Sequence, residues 1–171
     1  EEYVTFLCKG MLPTDGEATD IYFYDGYLYI ADGSGGLKII DAGLPGDTAD
    51  PVNPALVSSV PFTGGNANGV FVKLDDDTRT YAYVAAGSAG LKVVDVSDPR
   101  APALVGEISG TDVSDARKVD VKGNFAFIAD GDNGLKIVDI ADKSAPFLTG
   151  VYYVGDSDDL DDIPGSAYDL N

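Results

Sequence analysis

The sequence predicts an all-β fold assembled from β-propeller blades, each made of four antiparallel strands. Three near-copies of one hairpin motif carry this prediction, and they lie at residues 29–41, 83–95 and 127–139. In each copy a run of aromatic, β-branched and small apolar residues leads into a Gly-x-x-Gly turn, and a second apolar run ends in Asp. An Ala-x-x-apolar step also recurs at constant spacing, at Ala18, Ala67 and Ala116. Four-stranded units with a period of about 45 to 50 residues are typical of propeller blades.

Each repeat is expected to contain four short strands. We place them near 18–24, 27–32, 36–41 and 55–62 in the first repeat, near 67–73, 80–86, 90–96 and 103–108 in the second, and near 116–122, 125–130, 134–140 and 147–153 in the third. The sequence predicts no helix, because no segment keeps apolar residues at helical spacing over three turns. Gly and Pro also interrupt the chain every few residues.

The predicted strands are apolar on both faces, as in the runs at 27–31 and 125–129. A sheet with one wet face would alternate apolar and polar residues, whereas a blade wedged between two neighbours buries both faces. The small residues at 18, 67 and 116 and at 31, 85 and 129 fit the narrow space near a propeller axis.

Composition excludes several functional classes. The chain has 171 residues, enough for one core, and 29 acidic against 11 basic residues give a formal charge of −18. This charge repels phosphate backbones and anionic lipids, so nucleic acid and membrane insertion are not expected. With no histidine and a single cysteine, Cys8, the chain cannot build a Ser-His-Asp or Cys-His enzyme or an internal disulfide.

The repeats resemble a known family. The segments Val93-Val-Asp-Val-Ser-Asp-Pro-Arg-Ala-Pro-Ala-Leu-Val-Gly106 and Ile137-Val-Asp-Ile-Ala-Asp-Lys-Ser-Ala-Pro-Phe-Leu-Thr-Gly150 look like the LVIVD repeat, over residues 18 to 154 in all. This resemblance implies a propeller blade and an extracellular or cell-surface protein, and it implies no catalytic residues. The first repeat departs from the pattern at 42–51 and the second at 74–79, where insertions lengthen two loops.

The two ends suggest further blades. We divide the chain into a partial blade at 1–17, blades at about 18–66, 67–115 and 116–166, and the start of another blade at 167–171. Three blades do not close a ring of four to eight, so the outer blades should expose apolar faces. We therefore expect a segment of a larger propeller, or a homo-oligomer or larger surface assembly that completes the ring.

Candidate sites are few. Asp41, Asp95 and Asp139 end the third strand of each repeat, and an Asp before a Pro-containing turn normally accepts hydrogen bonds from the turn backbone. The loop at 155–165 concentrates carboxylates, and Asp156, Asp158, Asp159 and Asp161 are the candidate ligands for calcium, the one cofactor that the sequence suggests. The loop is not an EF-hand, because Asp161 stands where glycine is needed and Ala167 where Glu is needed. The alternative reading is a solvated anionic loop.

These observations predict a non-enzymatic extracellular or cell-surface scaffold for protein–protein interaction, adhesion or structural assembly, with its binding residues in the loops at 42–51, 74–79 and 155–165. The alternative is a carbohydrate-binding or hydrolytic propeller whose site missing blades complete. Glu17 and Glu107 lie in no recognisable motif, and Tyr22, Tyr24, Tyr27 and Tyr29 are expected to pack within the sheets rather than stack on sugars. A buried carboxylate pair facing the axis would favour the alternative.

Overall fold

The computed structural model describes residues 14–42, 55–75 and 78–153. These residues form three four-stranded antiparallel sheets, each built from strands consecutive in the chain. Blade 1 consists of β1 (Asp20–Tyr24), β2 (Tyr27–Ala31), β3 (Leu37–Asp41) and β4 (Ala55–Val60). Blade 2 consists of β5 (Gly69–Asp75), β6 (Arg79–Ala85), β7 (Leu91–Asp95) and β8 (Ala103–Ile108). Blade 3 consists of β9 (Lys118–Lys122), β10 (Phe125–Ala129), β11 (Leu135–Asp139) and β12 (Phe147–Tyr152).

The predicted all-β fold and its blades of four antiparallel strands are confirmed, with strand ends shifted by at most two residues. The only helical element among the described residues is one 3-10 turn at Gly131–Asn133, inside the third hairpin. No helix in the described part of the chain is long and apolar enough to cross a membrane. Of the partial blades predicted at 1–17 and 167–171, only residues 14–17 are described.

The blades share one internal plan. Each pairs its strands in chain order, and the register shifts by one residue between the third and fourth strands, as at Val93/Val94 in blade 2. The turn between the second and third strands ends in a glycine with positive φ, such as Gly90 at 74°. A Cβ added to Gly90 would lie 2.0 Å from the carbonyl oxygen of Ile108. Glycine is therefore required here by both conformation and close packing.

Neighbouring blades are joined by backbone as well as by side chains. The Gly33 amide donates to the carbonyl of Ala67, and the Gly33 carbonyl accepts from the Ala67 amide. Gly87 and Ala116 repeat this bridge between blades 2 and 3. Ala67 and Ala116 are fully buried at these bridges. The small residues Ala67 and Ala116 thus allow two blades to approach closely, as expected. Ala18 and Ala129, at the outer ends of the stack, are exposed.

The core consists of two apolar layers, one between each pair of blades. In the first layer the aromatic and aliphatic residues of blade 1, such as Tyr29 and Leu37, pack against valines and alanines of blade 2. In the second layer Tyr83 and Leu91 of blade 2 pack in the same way against blade 3. The middle blade is therefore buried on both faces, as the two-sided apolar strands predicted.

The buried tyrosines should respond to alkaline pH. Burial raises the pKa of Tyr29 to about 12, and it raises the pKa of Tyr83 as well. A raised folded-state pKa means that the stability is fully present below the ordinary value of about 10 and is lost as the pH rises toward the folded value. We expect the absorbance of tyrosinate to show Tyr29 and Tyr83 titrating late, together with unfolding, and Tyr83→Phe to reduce this late change. Titration of all ten tyrosines near pH 10 with the fold intact would contradict this burial.

Candidate interaction surface

The two internal interfaces define two kinds of blade face. The side of a blade that packs on the next blade is called its trailing face. In blade 2 the trailing face carries Tyr81, Tyr83, Ala85, Leu91, Val93 and Ile108. We call the leading face the side that packs on the preceding blade, which in blade 3 carries Val119, Val121, Ala126, Ile128 and Val138. Each internal interface therefore joins a trailing face rich in large side chains to a leading face of smaller ones.

The trailing face of blade 3 is apolar and open over its three outer strands. By register it carries Phe125, Phe127, Ala129, Leu135, Ile137, Gly150 and Tyr152. Tyr152 is 64% exposed, whereas Ile108 at the same position of blade 2 is 8% exposed. Phe125 is 41% exposed, and its counterpart Tyr81 is 8% exposed. The innermost strand, β9, differs because Lys118, Asp120 and Lys122 alternate with its buried valines.

The leading face of blade 1 is the second open surface. By register it carries Ile21, Phe23, Leu28, Ile30, Lys38, Ile40 and Leu56. Phe23 is 55% exposed, whereas its counterpart in blade 2, Val72, is 1% exposed. Ile21 and Leu56 are also exposed, while Ile40 remains buried. The expected exposure of apolar faces on the outer blades is therefore present at both ends of the described stack.

A glycine in the fourth strand marks where the next blade approaches most closely. A Cβ on Gly106 of blade 2 would lie 2.0 Å from the carbonyl oxygen of Lys143, in the loop between the third and fourth strands of blade 3. In blade 1 the same position is Ser58, whose hydroxyl donates to the carbonyl of Pro99, the residue of blade 2 that corresponds to Lys143. In blade 3 the position is Gly150, and the atoms nearest to a Cβ there belong to Ile137 of its own blade, at 3.5 Å.

A buried ion pair between Lys143 and Asp75 connects blade 3 to blade 2. The Lys143 ammonium lies 2.5 Å from the Asp75 carboxylate, and both side chains are almost fully buried. The same ammonium stands over the ring of Tyr81, 5.7 Å from its centroid. Burial raises the pKa of the Asp75 carboxyl, but the ion pairs with Lys143 and Lys73 together outweigh it, so that this pKa is lowered. Asp75 belongs to the predicted loop at 74–79, and the structure gives it a role between blades.

The lysine of the repeated Leu-Lys pair is buried in every blade but has different partners. Lys38 pairs with Asp15 at 2.8 Å, and Lys92 pairs with Glu107 at 2.5 Å on the adjacent strand. Lys136 has no carboxylate partner among the described residues and stands over the ring of Tyr153. Glu107, which the sequence left without a motif, thus neutralises a buried lysine.

Two of the three aspartates that end the third strands, Asp95 and Asp139, are turn residues, as predicted. Asp95 accepts hydrogen bonds from the amide and hydroxyl of Ser97, at 3.0 and 2.6 Å, and also pairs with Arg79. Asp139 accepts from the amide of Ala141 at 2.8 Å. Asp41 ends β3 at the same position of blade 1.

Two buried carboxylates at the hairpin turns, Asp32 and Asp130, bind backbone amides of distant loops, and the sequence did not predict this role. Asp130 is fully buried, and its Oδ1 accepts from the amides of Ser114 and Asp115 at 3.0 and 2.7 Å. Asp32 is equally buried, and its Oδ2 accepts from the amide of Gly16 at 3.1 Å. Blade 2 has Ala86 at this position. The Asp-Gly pair in the first and third copies is visible in the sequence, but only the fold places distant amides against it.

An open polar cleft of about 410 Å³ lies between blades 2 and 3, at the end where the backbone bridges occur. Its lining consists of small and amide residues and one carboxylate: Gly64, Gly65, Asn66, Asn68, Gly87, Ser88, Ser114 and Asp115. Asp115 is paired with Arg117 at 2.7 Å. The described residues that line the cleft therefore include no pair of carboxylates for glycoside hydrolysis.

The predicted calcium ligands Asp156, Asp158, Asp159 and Asp161 lie outside the described residues. Within 14–42, 55–75 and 78–153, no three acidic, Cys or His residues are grouped so that they could hold a metal ion. The tyrosines behave as the sequence predicted, since Tyr29 is buried in the first apolar layer and Tyr22, Tyr24 and Tyr27 pack against it.

The acidic loop gives a prediction of its own. We expect millimolar calcium to leave the melting temperature unchanged, because a solvated anionic loop gives no preferential binding to the folded state. Thermal melts with calcium or with chelator test this, and Asp158→Asn is the matched variant. A rise in melting temperature that Asp158→Asn abolishes would instead establish a calcium site.

Comparison with known proteins agrees with the repeat structure. The model of the LVIVD repeat matches residues 15–61, 64–109 and 114–154, which is more than half of the chain. The chain belongs to the LVIVD repeat family. The three matches of this LVIVD repeat protein coincide with blades 1, 2 and 3. No curated protein matches the sequence.

Among solved structures, the LVIVD repeat protein is similar to an α-L-arabinofuranosidase from Clostridium thermocellum ATCC 27405. The identity is 18% and the TM-score is 0.43, over 80% of this chain and 49% of the other. The chain thus spans about half the length of that enzyme.

Proposed function

We propose that this LVIVD repeat protein is an extracellular or cell-surface scaffold that mediates protein–protein interaction, adhesion or structural assembly. The observation that carries the proposal is the pair of open apolar faces, the leading face of blade 1 and the trailing face of blade 3. The corresponding faces of neighbouring blades are covered at the two internal interfaces. Large exposed apolar patches on a folded protein mark sites of association.

The chemistry of the described residues supports a scaffold over an enzyme. The buried carboxylates are each engaged in the fold, since Asp32 and Asp130 hold loop amides and Asp75 pairs with lysine. Hydrolysis of a glycoside needs two carboxyl groups across a cleft, one of them with a raised pKa. The polar cleft between blades 2 and 3 does not supply this arrangement. A carbohydrate-active propeller is the second candidate, and incubation with a panel of chromogenic glycosides tests it directly.

The scaffold role is tested on intact cells of the source organism. A membrane-impermeant amine cross-linker should react with Lys122, which is exposed on β9 of blade 3. It should also react with Lys118 on the same strand, whose side chain is 60% exposed while its ammonium pairs with Asp20 at 2.9 Å. We expect cross-linked peptides that join these lysines to another polypeptide or to a second copy. Labelling that appears only after lysis would contradict the extracellular location, and surface labelling without any cross-link would contradict the scaffold role.

A further inference from the structure

We propose that the segment 167–170 of this chain docks on the inner edge of the trailing face of blade 3, where Ala167 forms a backbone bridge with Gly131. The segment lies outside the described residues, and its Ala-x-x-apolar pattern is the one that leads into the first strand of each blade. This inference goes beyond the proposed function, because it assigns a partner within the same chain to one part of an open face.

The turn between the second and third strands contains the same glycine in every blade. Gly33, Gly87 and Gly131 have φ values of 50°, 56° and 56°, and the carbonyl of each accepts from the amide three residues later. In blades 1 and 2 the amide of this glycine also donates to the alanine that leads into the next blade, Ala67 at 3.0 Å or Ala116 at 2.9 Å. The Gly131 amide has no acceptor among the described residues. Blade 3 therefore carries the donor of a backbone bridge, and the acceptor lies outside the described part of the chain.

A side chain beside the bridge donates to the same acceptor. The Thr19 hydroxyl of blade 1 donates to the carbonyl of Ala67 at 2.9 Å, and the side-chain amide of Asn68 in blade 2 donates to the carbonyl of Ala116 at 3.0 Å. The same position of blade 3 is Arg117, whose guanidinium has more N–H groups than its carboxylate partner uses. Each blade thus has a side-chain donor for the carbonyl of the next alanine.

The charge next to the bridge also fits this segment. Gly69, two residues after the alanine of blade 2, lies against Lys118 of blade 3, since a Cβ there would be 3.0 Å from the Lys118 Cα. The same step taken from blade 3 places Asp169 beside Lys118. The Lys118 side chain is 60% exposed, and its ammonium pairs with Asp20. The proposed contact therefore brings a carboxylate next to an exposed lysine.

The chain is long enough to make this return. In blades 1 and 2 the chain passes from the end of the fourth strand to the next alanine within eight residues, and Ala167 follows Tyr152 by fifteen residues. The first strand of a blade packs mainly on the first two strands of the preceding blade. A docked segment 167–170 therefore occupies the inner part of the face, and it leaves Leu135, Ile137 and Tyr152 on the outer strands open to another partner.

Amide hydrogen exchange, resolved residue by residue on the full chain, tests the bridge. We expect exchange of the Gly131 amide to be about tenfold or more slower in the wild type than in Ala167→Glu. The alanines of the two internal bridges are fully buried, so a longer and charged side chain has no room at this position. The Gly87 amide is the internal reference and should stay protected in both proteins, which also shows that the variant folds.

Ser166→Glu is the matched control. It adds the same charge one residue earlier, where blade 1 carries the exposed Glu17, and it should keep the Gly131 amide protected. A Gly131 amide that exchanges as fast in the wild type as in Ala167→Glu would overturn the inference. Protection that Ser166→Glu removes equally, or that grows with protein concentration and so comes from a second copy, would overturn it as well. The cross-linking on cells that tests the scaffold function is independent of these results.

Discussion

Gly106→Ala is expected to destabilise the protein by about 3 kcal/mol, whereas Gly150→Ala is expected to leave stability unchanged or raise it. The two glycines occupy the same position of consecutive blades. At Gly106 the new methyl group would overlap the carbonyl of Lys143, which belongs to backbone and cannot swing aside. At Gly150 the nearest atoms belong to Ile137, at ordinary contact distance, and removing glycine from a strand gains about 0.5–1 kcal/mol of conformational entropy.

Chemical denaturation at low protein concentration measures both changes on the monomer. The difference between the two variants isolates the contact between blades, because local strand geometry is shared. Equal effects of the two substitutions would mean that the glycine serves the strand rather than the neighbouring blade.

Lys143→Met is expected to cost about 3 kcal/mol, because it leaves the buried Asp75 carboxylate without its closest cation. Asp75→Leu should cost a similar amount by leaving Lys143 unpaired. The double variant should be close to wild-type stability, since two apolar side chains of similar volume remove both desolvation costs. A double-mutant cycle measures this coupling, and additive losses would show that the pair does not act as a unit.

The ion pair also sets a pH dependence. The pKa of Asp75 is lowered from its ordinary value of 3.8, so its contribution is intact above that value and is lost as the pH falls through the lower folded-state value. We expect the wild-type chain to lose stability on acidification over this range, and the double variant to lose less. An identical acid dependence of the two proteins would locate the acid sensitivity in other carboxylates.

The internal repeats allowed the architecture to be predicted from the sequence. Three copies of the Gly-Leu-Lys hairpin and the constant spacing of Ala18, Ala67 and Ala116 determined the strand order, the antiparallel pairing and nearly all strand ends. Apolar residues on both faces of a strand require a layer on each side, which predicts blades stacked between blades. The turn role of Asp95 and Asp139 was also predictable, because an Asp before such a turn bonds to amides two residues away.

Only the tertiary structure decided which residues meet across blades, because contacts between residues far apart in sequence depend on how sheets stack and not on local pattern. The Lys143–Asp75 ion pair joins a loop of blade 3 to the end of β5. The Asp130 carboxylate accepts hydrogen bonds from backbone amides in a segment that precedes its own blade. Gly106 and Gly150 occupy the same position of the sequence motif. The stacking of blades covers Gly106 and leaves Gly150 open. The sequence by itself determined the blade, and the stacking of blades determined which surfaces are buried and which are free to bind.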